Sequence, residues 1–489
     1  MKARRKQLII AFILVDLIII GVFLARFLNY RSLAKSDAAE FRTALTKNGI
    51  GVVRRPEPFD GLRGPSVELP TYVPGKSDPF QIDLRGKDLR ALDVKDRLQD
   101  LIQANFDDLT QWPTSLPAGF DPLRIREIGK NPGLRIRELH KKGITGRGVG
   151  IAIIDMGFLV GHAEYKDRLR LFEEIHSADE TAQMHGVATA SIAVGKTVGV
   201  APEADLYYIA SFPSKGGLNG VLLRDFTWEA KSIDRILEIN RRLDASHKIR
   251  VISASIGWQP NEAGYEAVMK AVERAKKAGI FVICTSMIES YGFQIHGLGR
   301  DPNKDPDDIA SFGDVNWGTY DSAGIHFLRF PIDSRTTAGP TGNEDYAFYR
   351  LGGLSWAVPW AAGLYALACQ AKPDVTPQLF WEKALETGDS IVLAPKEPSL
   401  SEEEVEKRAK KMVDDGILRL KQQSQEKDIE VAYAKLYSQR SGEKKFRMNE
   451  NEFRIWSLGW TRSLVLQNTK PRKLEKIVNP VKLISALVR

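Results

Sequence analysis

The stretch Val149-Gly-Ile-Ala-Ile-Ile-Asp155 carries no polar side chain until its closing aspartate. A strand with one solvated face alternates polar and apolar side chains, so a run without alternation needs cover on both faces. The glycine-rich turn Gly143-Ile-Thr-Gly-Arg-Gly-Val-Gly150 precedes this strand rather than joining it to a helix, which excludes a dinucleotide-binding loop. Similar runs recur from Gly133 to about Gly388. Strands are expected at Val149–Ile154, Asp205–Ala210, Val251–Ser255 and Ile280–Cys284. Helices are expected at Gly186–Val194, Thr227–Leu243, Glu262–Lys277 and Val358–Gln370. The alternation predicts an α/β fold, a parallel sheet with helices on both faces. Reactive groups in such a fold collect at strand C-terminal ends and helix N-termini.

The 489 residues suffice for one large domain with appendages. Hydrophobic residues at 43% and charged residues at 27% describe a globular chain rather than a disordered one. The net charge of +8 is modest, and no stretch interleaves basic and aromatic residues, which argues against a nucleic-acid partner. Cys284 and Cys369 sit in apolar runs and read as buried free thiols, not a disulfide scaffold. The seven histidines show no metal-ligand spacing.

Lys2, Arg4, Arg5 and Lys6 precede the eighteen residues Leu8–Ala25, apolar but for Asp16 and Gly21. That length nearly spans a bilayer core, and the basic flank predicts the N-terminus inside. Residues 1–30 therefore read as a cytoplasmic tail and uncleaved, single-pass transmembrane helix, with the remainder extracellular. A cleaved signal peptide is the competing reading. Asp16 is costly at mid-membrane and marks a helix partner or a weakened insertion. Residues 31–75 read as a juxtamembrane linker, rich in Pro, Gly and charge after Arg54. Residues 76–130 carry spaced leucines (Leu84, Leu89, Leu92, Leu98, Leu101) and read as an extension or prodomain-like unit. Residues 131–489 hold the main domain, with a helical insertion at about 392–474. In that insertion Leu400–Lys435 has helical spacing through Val405, Met412, Leu418 and Leu420, with Glu-rich residues before Lys-rich ones.

Three polar residues stand at element ends. Asp155 closes its strand, where an unpaired carboxylate is costly to bury. His185 opens the small-residue run His-Gly-Val-Ala-Thr-Ala-Ser-Ile-Ala-Val-Gly195, through which another backbone can approach closely. Ser355 lies in Gly353-Leu-Ser-Trp-Ala-Val-Pro-Trp-Ala-Ala-Gly363, at the mouth of a small-residue helix with a proline near its first turn. Taken alone, Ser355 reads as a helix N-cap. Taken together, in the order Asp, His, Ser, the segments resemble the subtilisin-like serine peptidases, in a membrane-anchored bacterial form. His162, His176 and His296 lie in loop-like polar contexts and are expected at the surface.

The resemblance covers roughly Gly143–Gly388 and the last dozen residues. It implies a subtilisin-like fold, closed by Lys476–Leu487, and a serine endopeptidase hydrolysing polypeptide substrates. Ser355 would be the nucleophile, His185 the general base and then acid, and Asp155 the partner of the imidazole. Ser255, Ile256, Gly257 and Trp258 match a strand whose edge pairs with the substrate main chain, with Trp258 narrowing or capping the pocket. Where the family places an asparagine as oxyanion donor, this chain has Cys284-Thr-Ser286, leaving Thr285 or Ser286 with the Ser355 N–H. Asp-Thr-Gly becomes Asp155-Met-Gly157, and Leu354 and Trp356 flank Ser355 where Thr and Met are usual. No cofactor is required. Asp301, Asn303, Asp305 and Asp307 offer oxygen ligands for a structural calcium. The alternatives are a catalytically impaired binding or scaffold protein and an esterase-type hydrolase, the latter disfavoured because Gly-x-Ser-x-Gly is absent.

Overall fold

A computed structural model describes residues 51–488, apart from 53–55, 60–63, 67, 74–79, 178–180, 219–220, 261, 314–325, 392–400, 425–449, 452–453, 455–457 and 459–474. Residues 45–489 form one compact unit. The expected membrane anchor at Leu8–Ala25 lies outside the described residues, among which no helix is long and apolar enough to cross a membrane.

The central sheet has six strands, all parallel. With β2 kept for Phe106–Asp107, they are β1 (Gly51–Val52), β3 (Gly150–Asp155), β4 (Leu169–His176), β5 (Asp205–Ser211), β6 (Ile249–Ala254) and β7 (Phe281–Ile283). Their spatial order is β1-β4-β5-β3-β6-β7. Every residue of β3 and β5 is buried, as suits strands whose charged and hydroxyl-bearing residues, two tyrosines apart, stand only at their ends. The helices are α1 (Met184–Val194), α2 (Thr227–Arg242), α3 (Tyr265–Lys277) and α4 (Leu354–Ala371). In α1 and α4 nearly all residues are buried, whereas α2 and α3 bury one stripe each.

Two strands of the central sheet escape the sequence pattern. In β4 the run Leu-Arg-Leu-Phe-Glu-Glu-Ile-His breaks the apolar signal, yet Glu173 is fully buried because Arg235 of α2 pairs with both its oxygens at 2.8 Å. The short β1 falls within the segment expected to be a linker. Described residues of this segment instead join the main body: Gly51 and Val52 pair with Leu171 and Phe172, and Ala182 N–H donates to Glu57 O.

A second sheet carries β8 (Phe293–Arg300) and β9 (His326–Pro331) in parallel. A separate antiparallel ribbon joins β10 (Asp333–Ala338), β11 (Tyr346–Leu351) and β2. Through this ribbon the N-terminal extension shares a core with the rest: Leu84, Leu89, Leu101, Phe106 and Phe120 pack on Phe348, and the Phe106 and Phe348 rings stack at 4.9 Å.

Beyond α4, α5 (Pro377–Thr387) leads to β12 (Asp389–Ile391), which pairs antiparallel with β13 (Glu475–Ile477). This pairing brings together the two ends of the intervening segment. Its described helix, α6 (Glu402–Ser424), buries Val405, Ala409, Val413 and Ile417. Met412 and Leu418, which contributed to the helical spacing, are 43% and 55% exposed, because the buried face follows a four-residue repeat and they fall off it. The closing helix, α7 (Pro480–Leu487), is capped by Asn479 Oδ1 and buries Leu483, Ile484 and Leu487.

Candidate active site

Asp155, His185 and Ser355 come from β3, α1 and α4. Asp155 ends β3 with its side chain 4% exposed, and three donors take up its oxygens. Met156 N–H donates to Oδ1 at 2.8 Å, Thr189 Oγ1 to Oδ2 at 3.1 Å, and His185 Nδ1 to Oδ1 at 2.7 Å. A carboxylate brings no proton to that last bond, so Nδ1 carries it and Nε2 is left free to accept. Burial opposes charging the imidazole, but the charge of Asp155 and the hydrogen bond to it prevail and raise His185 above its ordinary 6.5.

The close approach of α1 to the end of β3 depends on Gly186. A Cβ there would collide with Met156 O and with Tyr208 Oη, which donates to that carbonyl. Sequence inspection gave Thr189 no role, although its place four residues after His185 puts it one helical turn along the same face.

Ser355 is the second residue of α4. Gly353, the N-cap, has φ 66°, a left-handed conformation that favours glycine, and turns the chain into the helix. The Ser355 N–H lies in the first turn, where no intrahelical acceptor exists, and points outward as a donor. The helix begins four residues before the expected Val358, so Pro359 sits beyond its first turn. A residue at 359 would normally donate its N–H to Ser355 O, and proline has none. Ser255 Oγ donates to that carbonyl instead, at 2.9 Å. The Ser355 hydroxyl in turn donates to Ser255 O at 3.4 Å. The Trp356 ring lies 5.7 Å from that of His185, which places the start of α4 beside the imidazole.

The oxyanion candidates separate. Ser286 Oγ accepts from Trp258 N–H at 3.1 Å. The Thr285 hydroxyl faces Gly257 and makes no hydrogen bond among the described residues. Gln294 of β8, which has no sequence signature, fixes this loop by donating to Thr285 O at 2.7 Å and accepting from Met287 N–H at 3.3 Å.

A cavity of about 390 Å³ opens beside the Asp155–His185 pair, with Ser255 and Ile256 in its wall. Trp258, expected to narrow or cap a pocket, is 3% exposed and packs inward: its indole meets Phe226 edge-on at 5.9 Å and its Nε1–H points to Met269 Sδ. An apolar surface of that size gains more from the core than from a rim.

The acidic loop does not converge on a cation position. Asp301 Oδ1 and Asp305 Oδ1 accept N–H groups two residues ahead, and Asn303 Nδ2 donates to Gly119 O. Asp307 accepts from Asn131 Nδ2 and Arg135 N–H. These are turn and capping bonds, and among the described residues no three His, Cys, Asp or Glu side chains gather to hold a metal. Two expected surface histidines are likewise buried. His162 bonds Asp345 O and Glu164 N–H, and His296 Nδ1 accepts from Arg329 Nη1. Cys284 and Cys369 are buried and free as expected, and burial pushes each thiol up to about 12.

Residues 146–286 match the subtilase family of peptidases. Subtilisin-like protease 2 of Trichophyton rubrum is 30% identical over 248 residues, 49% of this chain and 54% of that one. Subtilisin-like protease PopC of Myxococcus xanthus is 25% identical over 312 residues, 56% of this chain and 60% of its own. The chain thus spans little more than half the length of these relatives. Among solved structures, a cold adapted subtilisin-like serine proteinase aligns with a TM-score of 0.36 and 17% identity, over 50% of this chain and 83% of that chain.

Proposed function

Because the chain carries a subtilase-family domain, we propose that it is a serine endopeptidase acting through Asp155, His185 and Ser355. The observation that carries this reading is the 2.7 Å bond from His185 Nδ1 to Asp155, with Ser355 at the helix start beside the imidazole. Attack requires the Ser355 hydroxyl to turn from Ser255 O toward His185 Nε2, which takes its proton as Oγ bonds to the scissile carbonyl carbon. The imidazolium so formed is stabilised by Asp155. The developing oxyanion meets the Ser355 N–H and the Thr285 hydroxyl. His185 then protonates the departing amine, and water enters by the same steps in reverse to release the acid.

Hydrolysis of unfolded casein, with new N-termini internal to the chain, tests this reading. It requires cleavage by the wild type and none by folded Ser355→Ala. A second reading, a binding or scaffold protein of the same fold, is favoured by one observation, the engagement of Ser355 Oγ with Ser255 O. A wild type that is folded and inert would establish it.

The apolar run Leu8–Ala25 behind a basic flank supports a membrane-anchored enzyme with its catalytic domain outside. Deleting residues 1–30 should release the protein from membranes, and persistent association would place the anchor elsewhere.

A further inference from the structure

One wall of the cavity beside His185 contains a buried acid that the catalytic steps do not use. Glu229, the third residue of α2, is 1% exposed and lines the cavity together with Ser211, Phe212, Pro213 and Arg224. Among the described residues its Oε1 has no hydrogen-bond partner, and neither has the buried Ser211 Oγ. The N-cap N–H to which a glutamate at this helical position can reach back is already taken, since Phe226 N–H donates to Ala263 O at 2.8 Å. Burying a carboxyl group without a partner is unfavourable, and two orphaned acceptors on one cavity wall point to a ligand that brings donors.

The surrounding charges say which donors. Asp155 lies on the same cavity, and its charge, after burial itself, is what raises the Glu229 carboxyl to about 8. The neutral Cys284 thiol is near it, and His185 is held by Asp155. Arg224 on the cavity wall is paired with Glu262 at 3.1 Å, and no ion pair joins Glu229 to a cation among the described residues. The remaining walls, Ile154, Phe212, Pro213 and Ile256, suit an aliphatic stem.

We infer that Glu229 is a specificity-determining residue that receives the ammonium or guanidinium group of a basic side chain on the bound polypeptide, Ser211 supplying a second acceptor. The inference rests on the peptidase reading above. An aliphatic stem buried along apolar walls with its charge on a carboxylate makes use of both parts of a lysine side chain.

Tetrapeptidyl diphenyl phosphonates, carrying lysine or isosteric norleucine at each of four positions in turn, test it at about pH 8.5, where lysine is charged. At one position the lysine probe should label Ser355 at least about ten-fold faster than the norleucine probe, as a hydrogen-bonded charge pair warrants. Glu229→Gln should abolish that preference and Glu229→Asp should keep part of it. Equal rates, or no labelling, at all four positions in the wild type would overturn the inference, as would an undiminished preference in Glu229→Gln. A small fluorophosphonate separates the two failures: if it labels Ser355 while the phosphonates show no preference, only the Glu229 assignment falls. If it labels nothing, the peptidase reading and this inference fall together.

Discussion

Ser255 Oγ donates to the carbonyl oxygen of Ser355 at 2.9 Å, filling the acceptor that Pro359 leaves without its helical partner. The two serines are a hundred residues apart and bond in both directions, since Ser355 Oγ returns a bond to Ser255 O at 3.4 Å. The proline thus frees the backbone at the nucleophile, and the end of β6 takes hold of it there.

Ser255→Ala removes the donor and orphans a carbonyl at the start of α4, a loss on the order of 1–3 kcal/mol. Fluorophosphonate labelling of Ser355 should slow about ten-fold, equivalent to about 1.4 kcal/mol, and Ser255→Thr should recover part of the rate. An unchanged rate in Ser255→Ala would show that this bond does not position the nucleophile.

The raised His185 sets a pH window. Folding favours the imidazolium, so its contribution to stability is complete below the ordinary value of 6.5 and is lost as pH rises through the higher folded value. Activity needs neutral Nε2 and runs the opposite way, rising over the same window. The midpoint of kcat/KM against pH should therefore lie above 6.5. Asp155→Asn should move it down and cost roughly ten-thousand-fold in rate, as in a comparable triad.

Thr285 and Ser286 make separable contributions. Thr285→Val keeps the shape and deletes the hydroxyl, and should lower kcat about a hundred-fold with KM little changed. Ser286→Ala should instead reduce stability, by about 1–3 kcal/mol in denaturant titration, because Trp258 N–H loses its acceptor. The reverse ranking in kcat would move the oxyanion donor to Ser286.

Phe348 belongs to β11 but sits in the core of the N-terminal extension. Phe348→Ala should destabilise by about 3–5 kcal/mol, and fluorescence and circular dichroism should report one shared transition. Two separated transitions in the wild type would show that the extension folds by itself.

The central sheet was legible where charged residues stand only at the strand ends, as in Gly150–Asp155 and Asp205–Ser211. It was illegible at Leu169–His176, because the carboxylate of Glu173 is buried only by virtue of Arg235, sixty-two residues away. Asp155, His185 and Ser355 stood out because each interrupts an apolar or small-residue run at an element end. Glu229 did not: in the amphipathic Thr227–Arg242 an acid looks solvent-facing, and only the packing of α2 on the sheet puts it inside. In the acidic loop Asp301 and Asp305 accept backbone N–H groups, a role that closely spaced aspartates fill as readily as they hold cations. The helical character of Glu402–Ser424 was legible, but its buried face was not, because Val405 fits more than one helical repeat and only the burial of Ala409, Val413 and Ile417 selects one.

The central claim is that Ser355 is an activated nucleophile driven by His185. Its most direct test is peptide mapping by mass spectrometry after brief exposure of the full chain to a fluorophosphonate, beside folded His185→Ala. A phosphonyl adduct on Ser355 in the wild type, lost in His185→Ala, is the predicted result. An adduct on another residue, no adduct at all, or equal modification of Ser355 without His185 would contradict it.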